Sequence, residues 1–254
     1  MNSTETKPVE SRSFLPAEIQ VPVAPQPPIA ASASTSRRRE GARINLRGEI
    51  GRDSPISLAA VKNLVLRHPE ETPKMLVLNS GGGSISEAFR VYEWLHALPV
   101  PLAIVADTRC CSASVIILMA ADLRIANPGT QILLHGTHID TESFPSRLNA
   151  KDLQRYIDDL KGDDDRVCDL LSARTGSDRD RFEAEMADEF YMSEAVAVEL
   201  GVIHEWRGLD RPVDPTWPEA ARQIRAAGMI LPPRLLSPSY MSACRMAEHF
   251  PVVE

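Results

Sequence analysis

Three short stretches of this chain carry residues whose types and spacing suit chemistry: Asn79-Ser80-Gly81-Gly82-Gly83-Ser84, Cys110-Cys111-Ser112-Ala113-Ser114, and His135 at the end of an apolar run. A serine hydroxyl becomes a competent nucleophile when a neighbouring base takes its proton, and the oxyanion that follows needs N–H donors aimed at it. Histidine is the commonest such base. Glycines at 82 and 83 let a bare backbone N–H approach a carbonyl where a side chain would block it. Read together, the three stretches suggest hydrolysis by an activated serine. Singly, each has a plainer explanation. A glycine run can be a tight connection, a serine at a helix start is usually an N-cap, and a lone histidine is often structural.

The elements that must position these residues follow from the apolar pattern. Arg43–Leu46 and Met75–Leu78 are expected as strands, with Ser57–Arg67 as a helix between them. A second helix is expected over about 84–98, with Ser84 and Glu87 as a capping box and Ile85, Ala88, Phe89, Tyr92 and Leu95 on one face. Leu102–Ala106 is the next strand, and Ser112–Ala121 a helix apolar on every side, hence buried. Leu123–Ala126 and Gln131–Leu134 follow as strands, joined by the turn Asn127-Pro128-Gly129. A helical stretch from 150 to 172 carries apolar residues at helical spacing. The acidic run Gly162-Asp163-Asp164-Asp165 is expected to interrupt it as a solvated break. Strands alternating with crossover helices imply a mainly parallel sheet flanked by helices, an α/β architecture.

Composition narrows the function classes. In 254 residues, 43% hydrophobic content suffices for a core, and a net charge of −7 without a basic stripe argues against nucleic-acid binding. Four cysteines, two of them adjacent, do not resemble a disulfide framework and suggest reduced thiols and a cytoplasmic setting. Neither a signal-peptide core nor a run of membrane-spanning length is visible. Residues 1–42 are rich in Pro, Ser and Ala and are expected to be disordered, 43–206 to form the catalytic domain, and 207–254 to be a Pro-rich extension with one short helix near 218–227.

The motifs resemble those of the Clp protease proteolytic subunit. Leu76–Tyr92 is similar to that family's strand–Asn-Ser-Pro-Gly-Gly-Ser–helix, with Gly81 in place of the proline. Cys110-Cys111-Ser112-Ala113-Ser114 resembles its Ala-Ala-Ser-Met-Gly, and Leu133-Leu134-His135 its Met-Ile-His. Phe190-Tyr191-Met192-Ser193-Glu194-Ala195 resembles its aromatic-Met-Ser-Ala run. The resemblance implies the Clp/crotonase fold of stacked β-β-α units with a second small sheet. It also implies a serine endopeptidase of unfolded polypeptides, in paired heptameric rings served by an AAA+ unfoldase. Ser112 would attack, His135 would move the proton, and the Gly83 and Ala113 N–H groups would hold the oxyanion. Without gaps, the family's aspartate falls at Glu189, with Asp188 beside it as the alternative acid. No metal or organic cofactor is implied, ATP being consumed by the partner. The helix at 150–172 would serve as the ring-pairing element or pack on its own subunit.

Some positions depart from that pattern. Ser114 replaces a glycine and is expected to narrow the site, and Gly81 loosens the turn. Ala121–Thr130 is closer to the signal-peptide peptidase A branch, which uses a serine–lysine pair. The core lysines 62, 74, 151 and 161 lie in no matching motif, so His135 is the better base. Two alternatives remain at this stage. One is a catalytically silent Clp-like subunit with an assembly or regulatory role. The other is a crotonase-like acyl-CoA enzyme, which would need neither Ser112 nor His135.

Overall fold

The strand β1 (Ala42–Arg47) alternates buried and exposed residues, as a half-covered strand should, whereas β2 (Lys74–Ser80) is buried almost throughout. In the computed structural model, which describes residues 41–139, 147–206, 214 and 216–227, these two strands pair in parallel. The expected mainly parallel sheet is present. Its order is β1-β2-β3-β4-β7, with β3 at Leu102–Cys111, β4 at Leu123–Ala126 and β7 at Glu205–Trp206.

The strand β3 is longer than the apolar run that announces it. Its first half, residues 103–106, lies between β2 and β4. At Thr108 the backbone takes φ +63°, the register against β2 shifts, and the remaining residues 109–111 pair with β5 (Gln131–Leu134). The strand β5 pairs on its other side, antiparallel, with β6 (Phe190–Met192). The turn at Asn127-Pro128-Gly129 therefore does not close a hairpin. It carries the chain from the first half of β3 to the second, so that a small second layer branches from the strand ahead of Ser112.

Side-chain alternation divides the core in two. One face of the sheet packs under α1 (Leu58–Val65), α2 (Ile85–His96), α3 (Ala113–Leu118), α4 (Ala150–Thr175) and α5 (Arg179–Met186). The short α6 (Glu194–Glu199) leads toward β7. The opposite face carries Met75, Val77, Ala103, Val105, Leu123 and Ile125, and α7 (Trp217–Ala226) covers them with Trp217, Ala220, Ala221 and Ile224. Arg225 ties α7 down by pairing with buried Asp122 at 2.8 Å and donating to the Leu98 carbonyl at 2.8 Å. Chain beyond residue 206 thus supplies a helix to the core. The remaining terminal residues of the two expected extensions lie outside the described residues.

Two local expectations are corrected. Ser84 Oγ accepts from the Glu87 N–H as a cap should, but Glu87 does not return the bond. The Ser84 N–H already donates to the Ile50 carbonyl at 2.8 Å, so the buried Glu87 carboxylate instead holds the Leu58 N–H at 2.7 Å, at the start of α1. The second correction concerns α4, which runs unbroken for 26 residues through Gly162-Asp163-Asp164-Asp165. Gly162 faces open space, where glycine costs a helix only ~1 kcal/mol, and packing of Val167, Cys168 and Leu171 outweighs that.

Behind the sheet sits a buried cation. Arg124 is 2% exposed and donates to the carbonyls of Val202, Ala121, Arg174 and Gly201. Burial, with Arg174 close by, lowers its pKa to about 9. The neighbouring His204 accepts the Arg124 N–H at Nδ1 over 3.0 Å. Burial holds this imidazole well below its usual pKa, and the positive charges of Arg124 and Arg174 add to that effect.

Candidate functional site

Ser112 follows β3 directly and precedes α3, a helix buried on every side. Its backbone is held at φ 54°, ψ −129°, outside the region that a side-chain-bearing residue prefers. Ser57, Ser84 and Ser193 each cap a helix through their hydroxyls, but the Ser112 side chain makes no capping bond. The commonplace reading of a serine at a helix start therefore fails at Ser112 alone. The turn is fixed by the Ser112 N–H donating to the Leu133 carbonyl at 2.8 Å, and by Ser114. Fully buried Ser114 donates to the Cys111 carbonyl at 2.7 Å and lies 3.3 Å from the Ser80 carbonyl. Ser114 does not narrow the site as expected. It points inward and braces the turn.

The glycine turn approaches Ser112 as closely as the chain allows. A Cβ on Gly82 would lie 2.8 Å from Ser112 Cβ, and one on Gly83 only 2.2 Å from the Ile50 carbonyl oxygen. Both have positive φ, at 111° and 136°. The Gly82 N–H donates to Ser80 Oγ, the Ile50 N–H to the Gly82 carbonyl, and the Ser84 N–H to the Ile50 carbonyl. The Gly83 N–H takes part in none of these bonds. Ala113 is the first residue of α3, and its N–H has no intrahelical acceptor. These are the two donors expected from the sequence.

Gly81, Gly83, Ser112 and His135 line one cleft of about 710 Å³, closed on the far side by Tyr156, Asp159 and Asp163 of α4. Burial raises the Asp163 carboxyl above its usual pKa, against the nearby Arg166 charge and with Asp164 and Asp159 adding to the rise. His135 is half-buried and its ring lies 4.9 Å from that of His138. His135 Nδ1 lies 2.7 Å from the Gly136 carbonyl oxygen. A carbonyl can only accept, so Nδ1 carries the proton and Nε2 is left with its lone pair. That is the tautomer a general base requires.

The cysteines beside Ser112 are poor rivals for its role. Cys110, Cys111 and Cys168 are free and buried. Burial pushes the Cys110 thiol up to about 12 and raises that of Cys111, so neither forms a thiolate readily at neutral pH.

The two carboxylates expected to complete the site precede β6, whose Phe190 pairs with Leu134, so Glu189 follows on from that pair toward His135. Asp188 and Glu189 are exposed and lie outside the cleft lining. The negative charge of Glu189 raises the pKa of the exposed Tyr191 phenol. A further acid, Asp164, reaches the histidine loop through two 2.6 Å bonds from the N–H and the hydroxyl of Thr137. Sequence reading placed it in a solvated break. The only available signal was helical continuity across Gly162, which would have turned Asp164 toward the core side of α4.

Known proteins resemble the chain over the same region. The profile of the family described as Clp protease matches residues 31–206. The chain is 28% identical over 142 residues to the ATP-dependent Clp protease proteolytic subunit 1 of Chlamydia caviae, an alignment covering 55% of this chain and 72% of that protein. It is 26% identical over 142 residues to the protein of the same name from Chlamydia trachomatis serovar D, with the same coverage. Among solved structures, a ClpP1 mutant from Listeria monocytogenes superposes with a TM-score of 0.56 at 17% identity. That match covers 68% of this chain and 94% of the other.

Proposed function

The chain belongs to the Clp protease family, and on that premise we propose that it is a serine endopeptidase subunit hydrolysing peptide bonds of unfolded polypeptides. The observation that carries the reading is Ser112. Its hydroxyl is left uncapped on a strained backbone, in one cleft with a histidine whose Nε2 is free to accept a proton.

In the proposed reaction a substrate strand enters the cleft along the glycine turn. His135 Nε2 takes the Ser112 proton as Oγ attacks the scissile carbonyl carbon. The Gly83 and Ala113 N–H groups donate hydrogen bonds to the developing oxyanion. Collapse of the tetrahedral intermediate expels the amine, which takes the proton from the imidazolium and leaves Ser112 acylated. Water, deprotonated by His135, then attacks the acyl carbon, and the imidazolium returns its proton to Ser112 Oγ as the C–Oγ bond breaks and the acid product leaves. Glu189, with Asp188 beside it, is the carboxylate that the family pattern assigns to the base.

The rest of the family setting belongs to the same proposal: cytoplasmic rings, heptameric by resemblance, served by an AAA+ unfoldase that supplies the ATP-driven step. Support comes from the first half of α4, where Leu153 and Ile157 are 46% and 44% exposed. Among the described residues no helix is long and apolar enough to cross a membrane.

Labelling of the full chain with a fluorophosphonate tests the chemistry. Wild-type protein should be modified at Ser112, and Ser112→Ala should abolish labelling. His135→Ala should slow it by about 10³-fold or more, the scale at which losing one member of such a unit is felt. An assembled, folded protein that does not label would favour the silent-subunit alternative.

A further inference from the structure

The imidazole of His135 leans on a peptide group rather than on a carboxylate. That peptide is the one between Gly136 and Thr137. Its carbonyl oxygen accepts from His135 Nδ1 at 2.7 Å, and its N–H, on the opposite side of the same planar unit, donates to Asp164 Oδ1 at 2.6 Å. The two hydrogen bonds therefore run through a single amide. An amide whose N–H faces an anion is polarised toward its carbonyl oxygen, which becomes the stronger acceptor, because hydrogen bonds in series reinforce one another.

The unit is fixed on every side. Gly136 donates its own N–H to the Met186 carbonyl at 2.7 Å. The Thr137 hydroxyl gives Asp164 Oδ1 a second bond at 2.6 Å. Asp164 projects from the interior of the long helix α4 rather than from a loop. A Cβ on Gly136 would meet the Met186 carbonyl oxygen at 3.4 Å and Asp164 Oδ2 at 3.7 Å, both ordinary contact distances, so Gly136 sits directly between these two partners.

We propose that Asp164 is the positioning residue for the base, acting on His135 through the Gly136–Thr137 peptide and holding it in its Nδ1-protonated tautomer. This assignment rests on the peptidase reading of Ser112 and His135. It gives the orienting role to a residue 25 positions before Glu189 and on a different element. No proton leaves the amide. None passes to Asp164 either, and only the proton that His135 accepts at Nε2 moves. The positive charge then on the ring is stabilised by the polarised carbonyl.

Two readouts test this in the full-length protein. The first is the tautomer of His135, read from its imidazole nitrogen shifts in a Ser112→Ala background, which needs no catalysis. The second is the rate of fluorophosphonate labelling at Ser112. Asp164→Ala should lose the dominance of the Nδ1–H tautomer and slow labelling by about 30-fold, and Asp164→Asn by about fivefold, within the range known for partners that orient a functional histidine. Asparagine can keep the bond to the Thr137 N–H but not the charge, so it separates polarisation from simple tethering. Thr137→Val, which retains the backbone N–H, should keep the tautomer.

The proposal is overturned if both Asp164 variants fold and keep the wild-type tautomer and rate. It is equally overturned if Glu189→Gln, and not Asp164→Asn, removes the tautomer. Should wild-type protein fail to label at all, the peptidase reading falls, while the tautomer measurement still decides the role of Asp164.

Discussion

The two halves of the site are held by different means. Ser112 sits on the end of a ten-residue strand that pairs with β2 and β5, ahead of a helix buried on every side, with Ser114 bonded into the core beneath it. His135 lies one residue past the end of β5, half-buried, in a loop secured by one bond to Met186 and two to Asp164. The proposed nucleophile is placed by the sheet and the core, and the proposed base by a few polar contacts. Damage to the first should therefore register as lost stability, and damage to the second as lost chemistry in a protein that still folds.

The largest effect should come from the glycine turn. Gly83→Ala forces a Cβ to within 2.2 Å of the Ile50 carbonyl at φ 136°. The strain should cost about 3 kcal/mol, seen as a melting temperature lower by ~10 °C. A Gly83→Ala protein that melts like wild type but no longer labels would break the contrast.

Next in size is a pH effect behind the sheet. His204 is buried next to Arg124, and its folded-state pKa is depressed below the unfolded value. Its contribution is therefore intact above the unfolded pKa of about 6.5 and is lost as pH falls below it, by ~1.4 kcal/mol per pH unit until the folded pKa is reached. Urea unfolding at pH 7.5 and pH 5 should show a difference of about 2 kcal/mol from this group, and His204→Gln should flatten it. Labelling rates corrected for the folded fraction should not follow the same curve.

Smaller again is the brace beneath the nucleophile. Ser114→Ala removes the bond to the Cys111 carbonyl and should cost about 1 kcal/mol, measured by urea unfolding, with labelling slowed only as far as the Ser112 turn loosens. At the bottom of the scale, Thr137→Val should change stability by about 0.5–1 kcal/mol or less, since the backbone bond to Asp164 survives. A large stability loss there would mean that the histidine loop, too, is part of the core.

The same contrast explains what was legible in the sequence. Strand, turn, serine and helix on the nucleophile side follow one another along the chain, so local apolar pattern and glycine placement locate Ser112 and the oxyanion donors. The base side is assembled from three distant segments. Asp164 lies 27 residues from Thr137, in a run whose composition suggests solvent. Its role appears only when α4 is seen to continue through Gly162 under the pull of Val167, Cys168 and Leu171. Arg124 was opaque for a related reason. Its partners are carbonyl oxygens, which carry no residue-type signature. The family pattern drew attention to Glu189, which follows on from the Leu134–Phe190 pair, whereas Asp164 comes to the loop from a separate helix.

The helix α4 is also a mechanical part. Its first turns expose Leu153 and Ile157, its middle turns wall the cleft, and Asp164 lies two turns beyond Ile157, ~10 Å along the same axis. A helix transmits an axial push with little compression, and a 2.6 Å hydrogen bond does not survive a slide of 1 Å or so. Anything that gripped the projecting end and shifted the helix along its axis would therefore act on the His135 loop through that one bond.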